Sequence, residues 1–223
     1  MAIRRLLRGD LSDAAVESVV EAVAERYGLP ADRVTFLEAD NWLSTPLVID
    51  DEVFVKVITD RHTLVHALLT AGRNLGAFSS GTEGFFGHFD SPVEMAEHEL
   101  AATRRMRELG LDAPEPIEAF EVDGLGVLVL EYLPEFRTLD GLDAAAVRGH
   151  APGLFAALST MHADGLVHGD LRAENVLVAD GDLYFIDATK VREGAIEDAR
   201  SYDLACALGA LTPLIGARAA VDA

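Results

Sequence analysis

His168-Gly169-Asp170-Leu171-Arg172-Ala173-Glu174-Asn175-Val176-Leu177-Val178, closed further on by Phe185-Ile186-Asp187, is the stretch that decides the reading of this chain. The apolar run Asn175 to Val178 reads as a strand, Asp180-Gly181-Asp182 as a polar turn, and Leu183 to Ile186 as a returning strand. The reversal brings Asp187 back beside the start. A carboxylate (Asp170), an amide oxygen (Asn175) and a second carboxylate (Asp187) then converge at one hairpin mouth. That set suits phosphoryl transfer, which needs a metal on the phosphates and a group that takes or orients the acceptor hydroxyl proton. Mg²⁺ is a hard cation that takes one or two carboxylates plus phosphate and water. Asp187 and Asn175 are candidate metal ligands, and Asp170 is left as base or orienting group. Asp180 and Asp182 read as a solvated acidic turn.

The same stretch resembles the catalytic and metal-binding segments of protein-kinase-like enzymes. Its form H-G-D-L-x-x-x-N, with Gly169 where most protein kinases carry Arg, is similar to the RIO kinases, the small kinase of the KEOPS complex, and the aminoglycoside and choline phosphotransferases. The resemblance implies that Asp170 is the catalytic Asp, Asn175 the metal-binding Asn, and Asp187 the metal-binding Asp of D-F-G. Ala188-Thr189 depart from that pattern by standing where Phe-Gly would be. Arg172 stands where Ser/Thr kinases carry a Lys that holds the transferred phosphate, which tilts the reading toward hydroxyl phosphorylation.

Composition bounds the rest. The chain has 223 residues and a formal net charge of −20, half of its residues are hydrophobic, and it has one Cys. That suffices for one domain of two lobes with a sizeable core. No apolar run reaches the ~18–20 residues of a membrane span. The start, with Arg4, Arg5 and Arg8, lacks the long apolar stretch of a secretory signal. Cys206 has no partner for an internal disulfide and reads as a small buried apolar residue. These features predict a cytoplasmic protein. Lys56 and Lys190 are its lysines, and the other basic residues are Arg. An acidic, lysine-poor surface suits a cytosol of molar salt, where the screening length is ~3 Å, so the source reads as a halophilic archaeon. The same charge argues against a nonspecific nucleic-acid surface or an anionic membrane surface.

Residues 10–27 read as an amphipathic helix, capped by Asp10 or Ser12, with Val16, Val19, Val20 and Val23 on one face and Gly28-Leu29-Pro30 as its stop. Strands are expected at Val34 to Leu37, Leu47 to Ile49 and Val53 to Ile58. The kinase resemblance lays the turn from Glu38 to Pro46 over the ATP phosphates, with Asn41 and Ser44 as hydrogen-bond donors. Trp42 packs there at the adenine or acceptor side, or serves as a surface anchor. Lys56 sits inside an apolar β-branched strand, where an ammonium is costly unless paired. It matches the strand lysine that holds the α- and β-phosphates and pairs with a helix Glu. Ser91-Pro92-Val93-Glu94 opens that helix as a capping box. Glu99 falls on its apolar stripe of Met95, Ala102, Met106 and Leu109, whereas Glu97 does not. Glu99 is therefore the expected partner, with Glu97 the second choice.

Residues 59–90 read as an insertion, with a short helix over Leu64 to Leu75 and a Gly-, Ser- and Phe-rich lid or docking loop after it. Ile117 to Val122 and Leu125 to Tyr132 form a hairpin. The resemblance makes Glu131 to Pro134 the hinge whose backbone groups at Glu131 and Leu133 bind adenine. A helix is expected over Leu142 to Ala163, interrupted near Gly149 to Pro152. His162 and His168 read as structural residues. Glu197 to Leu214 forms a late helix, in which Asp203 resembles the Asp that caps the catalytic-loop backbone; the alternative is an acidic residue favoured by the helix dipole.

The resemblance covers about residues 31–215. It implies an α+β, two-lobed protein-kinase-like fold: a helical extension (1–30), a β-rich N-lobe (31–133) and a short helical C-lobe (134–223). It implies ATP and Mg²⁺ as cofactors and serine/threonine protein kinase activity, including autophosphorylation, on a protein substrate or partner complex. The alternatives are a small-molecule kinase of the aminoglycoside or choline type, and an ATPase or nucleotide-binding scaffold within a complex.

Overall fold

A computed structural model describes residues 11–37, 44–63, 89–188 and 196–223. The described residues form a mixed α+β structure in two compact units. One gathers those within Met1–Gly72, His88–Ala101 and Glu115–Tyr132, the other those within Ala102–Pro114 and Leu133–Ala223. The short helix expected over 64–75 and the lid after it lie outside the described residues.

The first unit is built on a five-stranded antiparallel sheet in the order β1-β2-β3-β5-β4. Its strands are β1 (Val34–Phe36), β2 (Thr45–Ile49), β3 (Val53–Ile58), β4 (Pro116–Val122) and β5 (Leu125–Glu131). Asp50 and Asp51 both have positive φ, as do Asp123 and Gly124. These are the conformations that tight hairpin turns require, and they set the register of both hairpins. Strand alternation then divides the side chains between two faces. Leu47, Ile49, Val53, Val55, Val57, Val127 and Val129 pack with Val19 and Val23 of helix α1 (Asp13–Tyr27). Ile58, Leu128 and Leu130 face the other way and pack with Met95, Ala96 and Leu100 of helix α2 (Pro92–Glu108).

Helix α1 starts where Ser12 Oγ accepts from Ala15 N–H and ends at Gly28 in the left-handed conformation. Its last turn is clamped to β4: Arg26 and the Tyr27 hydroxyl both donate to Glu118, at 2.8 and 2.7 Å. Helix α2 starts at its predicted box. Ser91 Oγ accepts from Glu94 N–H at 3.2 Å, while the Glu94 carboxylate reaches past Ser91 to Asp90 N–H at 2.7 Å.

The second unit holds the core of helices α3 (Ala144–Ala163), α4 (Ile196–Ile215) and α5 (Ala217–Val221) with a three-stranded sheet β6-β7-β8. The strands are Arg137–Thr138, Val176–Ala179 and Asp182–Phe185. Two residues of β6 carry too little periodicity to announce a strand. Helix α3 corrects an expectation, because it runs unbroken through Gly149 and Pro152. Pro152 and Arg148, the residue one turn before it, are both exposed, so Pro152 lies on the outer side of the helix. The ring costs ~3 kcal/mol in a helix interior. The buried stripe Val147, Leu154, Leu158 and Met161 offsets it at roughly 1.5–3 kcal/mol per side chain.

Candidate active site

The hairpin of β7 and β8 follows from its turn. Asp180 and Gly181 both take positive φ, and the register runs from Ala179 opposite Asp182 to Val176 opposite Phe185. One step further, Ile186 N–H donates to the Asn175 carbonyl at 3.2 Å. Ile186 therefore stands opposite Asn175, and Asp187 follows one residue beyond, at the mouth of the hairpin. Asp187 leaves the strand with φ of 64°, a conformation that Asp tolerates better than most residues. Asn175 Nδ2 donates to the Asp170 carbonyl at 2.8 Å and approaches Asp170 Oδ2 at 3.5 Å. The amide nitrogen thus turns toward Asp170. Arg172 Nε lies 3.3 Å from Asp170 Oδ2, and its Nη1 donates to Glu174 at 2.6 Å. Asp170 and Asn175 are buried, while the Arg172 side chain is 44% exposed.

Asp203 of α4 holds the start of this loop. It is fully buried, and its two carboxylate oxygens accept from His168 N–H at 2.8 Å and Gly169 N–H at 2.7 Å. Gly169, with φ of 77°, is in the left-handed region that lets two successive amides turn toward one carboxylate. His162 Nε2 lies 3.0 Å from the same carboxylate, and Arg200 donates to the His162 carbonyl. His168 is wholly buried, and its Nδ1 accepts from Asp170 N–H at 3.4 Å. Burial lowers its pKa, against the pull of Asp203, Asp170 and Asp187. It is therefore a neutral scaffold at neutral pH.

In the first unit, Lys56 Nζ donates to both carboxylate oxygens of Glu99 at 2.8 Å. Lys56 is 3% exposed and Glu99 6%. Glu97 is exposed. Sequence reasoning gave no role to His62, which lies in the helical turn over 60–63. Thr59 N–H donates to His62 Nδ1 at 3.0 Å and His62 N–H donates to Thr59 Oγ1 at 3.3 Å, a reciprocal cap. The T-x-x-H spacing was a signal that could have found it. Burial and then the nearby Lys56 and Arg61 charges lower the His62 pKa to about 4.

Ser44 is buried just before β2, and Asn41 and Trp42 lie outside the described residues. At the end of β5, Glu131 N–H donates to the Glu115 carbonyl at 2.9 Å, and the Glu131 carboxylate accepts from Glu115 N–H at 3.0 Å. Leu133 is buried.

Residues 90–202 match the RIO domain, which is half of the chain. The chain belongs to the RIO domain family. The matched part of this RIO domain carries Glu99, Glu131, Leu133 and the whole stretch from Asp170 to Asp187; Lys56 and Ser44 precede it. A kinase-like family of this kind fits the buried Lys–Glu pair and the Asp–Asn–Asp hairpin. A stretch of 98 residues is 30% identical to the KEOPS complex subunit Bud32 of Pyrococcus abyssi (strain GE5 / Orsay), covering 42% of this chain and 43% of that protein. The chain thus spans less than half the length of that relative. Among the described residues, no three or more His, Cys, Asp or Glu side chains group as a metal site. Oxygen donors from one Asn and one Asp fit Mg²⁺, which leaves most of its coordination to phosphate and water. Among the described residues, no helix is long and apolar enough to cross a membrane.

Proposed function

We propose that this RIO domain is an ATP- and Mg²⁺-dependent phosphotransferase that passes the γ-phosphate of ATP to serine or threonine hydroxyls of a protein, itself included. The observation that carries the reading is Lys56: an ammonium inside an apolar strand, bound by both oxygens of a buried Glu99. Such a pair is costly to bury, and a phosphate-holding role accounts for it.

In this reading Lys56 binds the α- and β-phosphates and Glu99 fixes its direction. Asn41 and Ser44 donate to the phosphates, and backbone groups of Glu131 and Leu133 meet adenine. Asp170 orients the acceptor hydroxyl and takes its proton. Arg172, which lies beside Asp170, neutralises charge on the transferred phosphoryl group. Asn175 and Asp187 would hold Mg²⁺, Asn175 through its amide oxygen. The bound metal supplies charge neutralisation on the phosphates. The working division of the chain is a helical extension to residue 30, an N-lobe to residue 133 and a C-lobe from residue 134. The likeness to a KEOPS complex subunit supports a partner complex, and with it an ATPase reading as the alternative. The net charge of −20 supports a cytoplasm rich in salt.

The test follows γ-labelled ATP with Mg²⁺ in multi-molar KCl, comparing the protein with Asp187→Ala. Label on protein that disappears in the variant is the expected result. Free phosphate without labelled protein moves the activity to an ATPase. Neither product from the unaltered protein overturns phosphoryl transfer.

A further inference from the structure

We infer that Gly126 is a positioning residue for the Lys56–Glu99 pair: the seat of the first turn of α2 on β5 sets whether the carboxylate reaches the ammonium. The inference rests on the phosphate-holding role proposed above for its functional consequence, but not for its geometry. Gly126 lies opposite Ile58, and Leu128 lies opposite Lys56, so Gly126 and Lys56 share the sheet face on which α2 packs. A Cβ on Gly126 would stand 2.2 Å from the Pro92 carbonyl oxygen, 2.4 Å from its carbon and 2.9 Å from Val93 N.

All three atoms are backbone, so no rotamer change relieves the clash. The Pro92 ring fixes its own φ, and Ser91 and Glu94 tie down the same turn through the box described above. Any side chain at 126 must therefore lift the helix start. Moving from 2.2 Å to the 3.4 Å of an ordinary contact requires a retreat of about 1 Å. Glu99 lies two turns along the same helix, with its bonds to Lys56 at 2.8 Å. A retreat of that size takes them beyond the ~3.2 Å limit of an N–H···O bond. The glycine thus works through Glu99 and not through ATP.

Lysine scarcity supplies the experiment. With Lys190→Arg as background, Lys56 is the one lysine left, and selective ¹³C-lysine labelling gives a single side-chain signal. Gly126→Ala is expected to move that signal toward its position in Glu99→Gln. It is also expected to raise the dissociation constant for ATP by about ten- to a hundredfold, and to add nothing further in a Glu99→Gln background. A folded Gly126→Ala protein whose lysine signal stays in place overturns the inference, as does an ATP effect of the same size with and without Glu99. If Gly126→Ala does not fold, Glu94→Ala loosens the same turn. It is expected to shift the lysine signal in the same direction by less, and an unmoved signal overturns the inference. Absence of ATP binding by the unaltered protein would remove the proposed function, while the lysine signal still decides the role of Gly126.

Discussion

The Lys56–Glu99 pair and the Asp170–Asp187 loop are built in opposite ways. The pair joins two side chains 43 residues apart, and nothing but sheet–helix packing brings them together. The loop is more local: a two-residue turn and a short ladder bring Ile186 opposite Asn175, one residue before Asp187. Long-range support comes from Asp203, which reaches back 35 residues to His168 N–H, and from the pairing of β6 with β7 and the Phe185 N–H bond to the Asp112 carbonyl. A site made of local register tolerates change elsewhere in the fold. A site made of helix placement depends on residues that touch neither partner, such as Gly126.

Four tests sharpen this contrast. The largest effect is expected from Asp170→Asn, which keeps the size of the side chain and removes the base. Turnover is expected to fall by about 10²–10⁴-fold with ATP binding retained, measured by γ-label transfer and equilibrium binding. Intact turnover would remove Asp170 from its proposed role.

Next is Lys56→Met, which leaves the Glu99 carboxylate buried without its cation. Loss of one partner of a buried pair costs ~3–5 kcal/mol, read from denaturant unfolding. Lys56→Met with Glu99→Leu is expected to recover most of that stability and none of the ATP binding. Recovery of both would place phosphate holding elsewhere.

Asp203→Ala should cost less, about 2–3 kcal/mol, since the freed His168 and Gly169 amides lose a charged acceptor. Turnover is expected to fall with the ATP dissociation constant unchanged, because the loop and not the pair is loosened. A rise in that constant with turnover unaffected would reverse the assignment.

The last effect is a pH dependence. His62 has its pKa lowered to about 4 in the folded protein from an ordinary 6.5. Below 6.5 the unfolded chain takes up a proton that the folded chain refuses, so this contribution to stability is full above 6.5 and is lost as pH falls toward 4. The loss is at most about 3 kcal/mol. His168 is also lowered and acts with the same sign. His62→Gln keeps an acceptor at the cap without a titrating group, so its unfolding midpoint should fall less between pH 7 and pH 4.5. An equal fall in both proteins would assign the acid sensitivity to other groups.

Much of the fold is legible in the residues because each element carries its own stop. Gly28 and Gly110 end helices in the left-handed conformation, and Asp123-Gly124 and Asp180-Gly181 turn hairpins. Glu99 could be preferred to Glu97 because a helix has a period, and that period places Glu99 with Met95 and Ala102. Pro152 misled for the converse reason. Its local signal says break, while the stripe from Val147 to Met161 is buried along the whole helix, and packing overrode propensity. Strand β6 left no signal because two residues cannot show alternation.

By itself the sequence determined the hairpin, the strand lysine and the capping box of α2, since turn chemistry and periodicity act within a few residues. Periodicity and resemblance also pointed to Glu99 and Asp203, but only the tertiary structure decided that Lys56 donates to both Glu99 oxygens, that Asp203 gathers His162 along with two amides, that His62 caps its own turn, and that a side chain at Gly126 would meet backbone. Those outcomes depend on distances between elements far apart in the chain, and such distances are set by how closely backbones pack rather than by any local pattern.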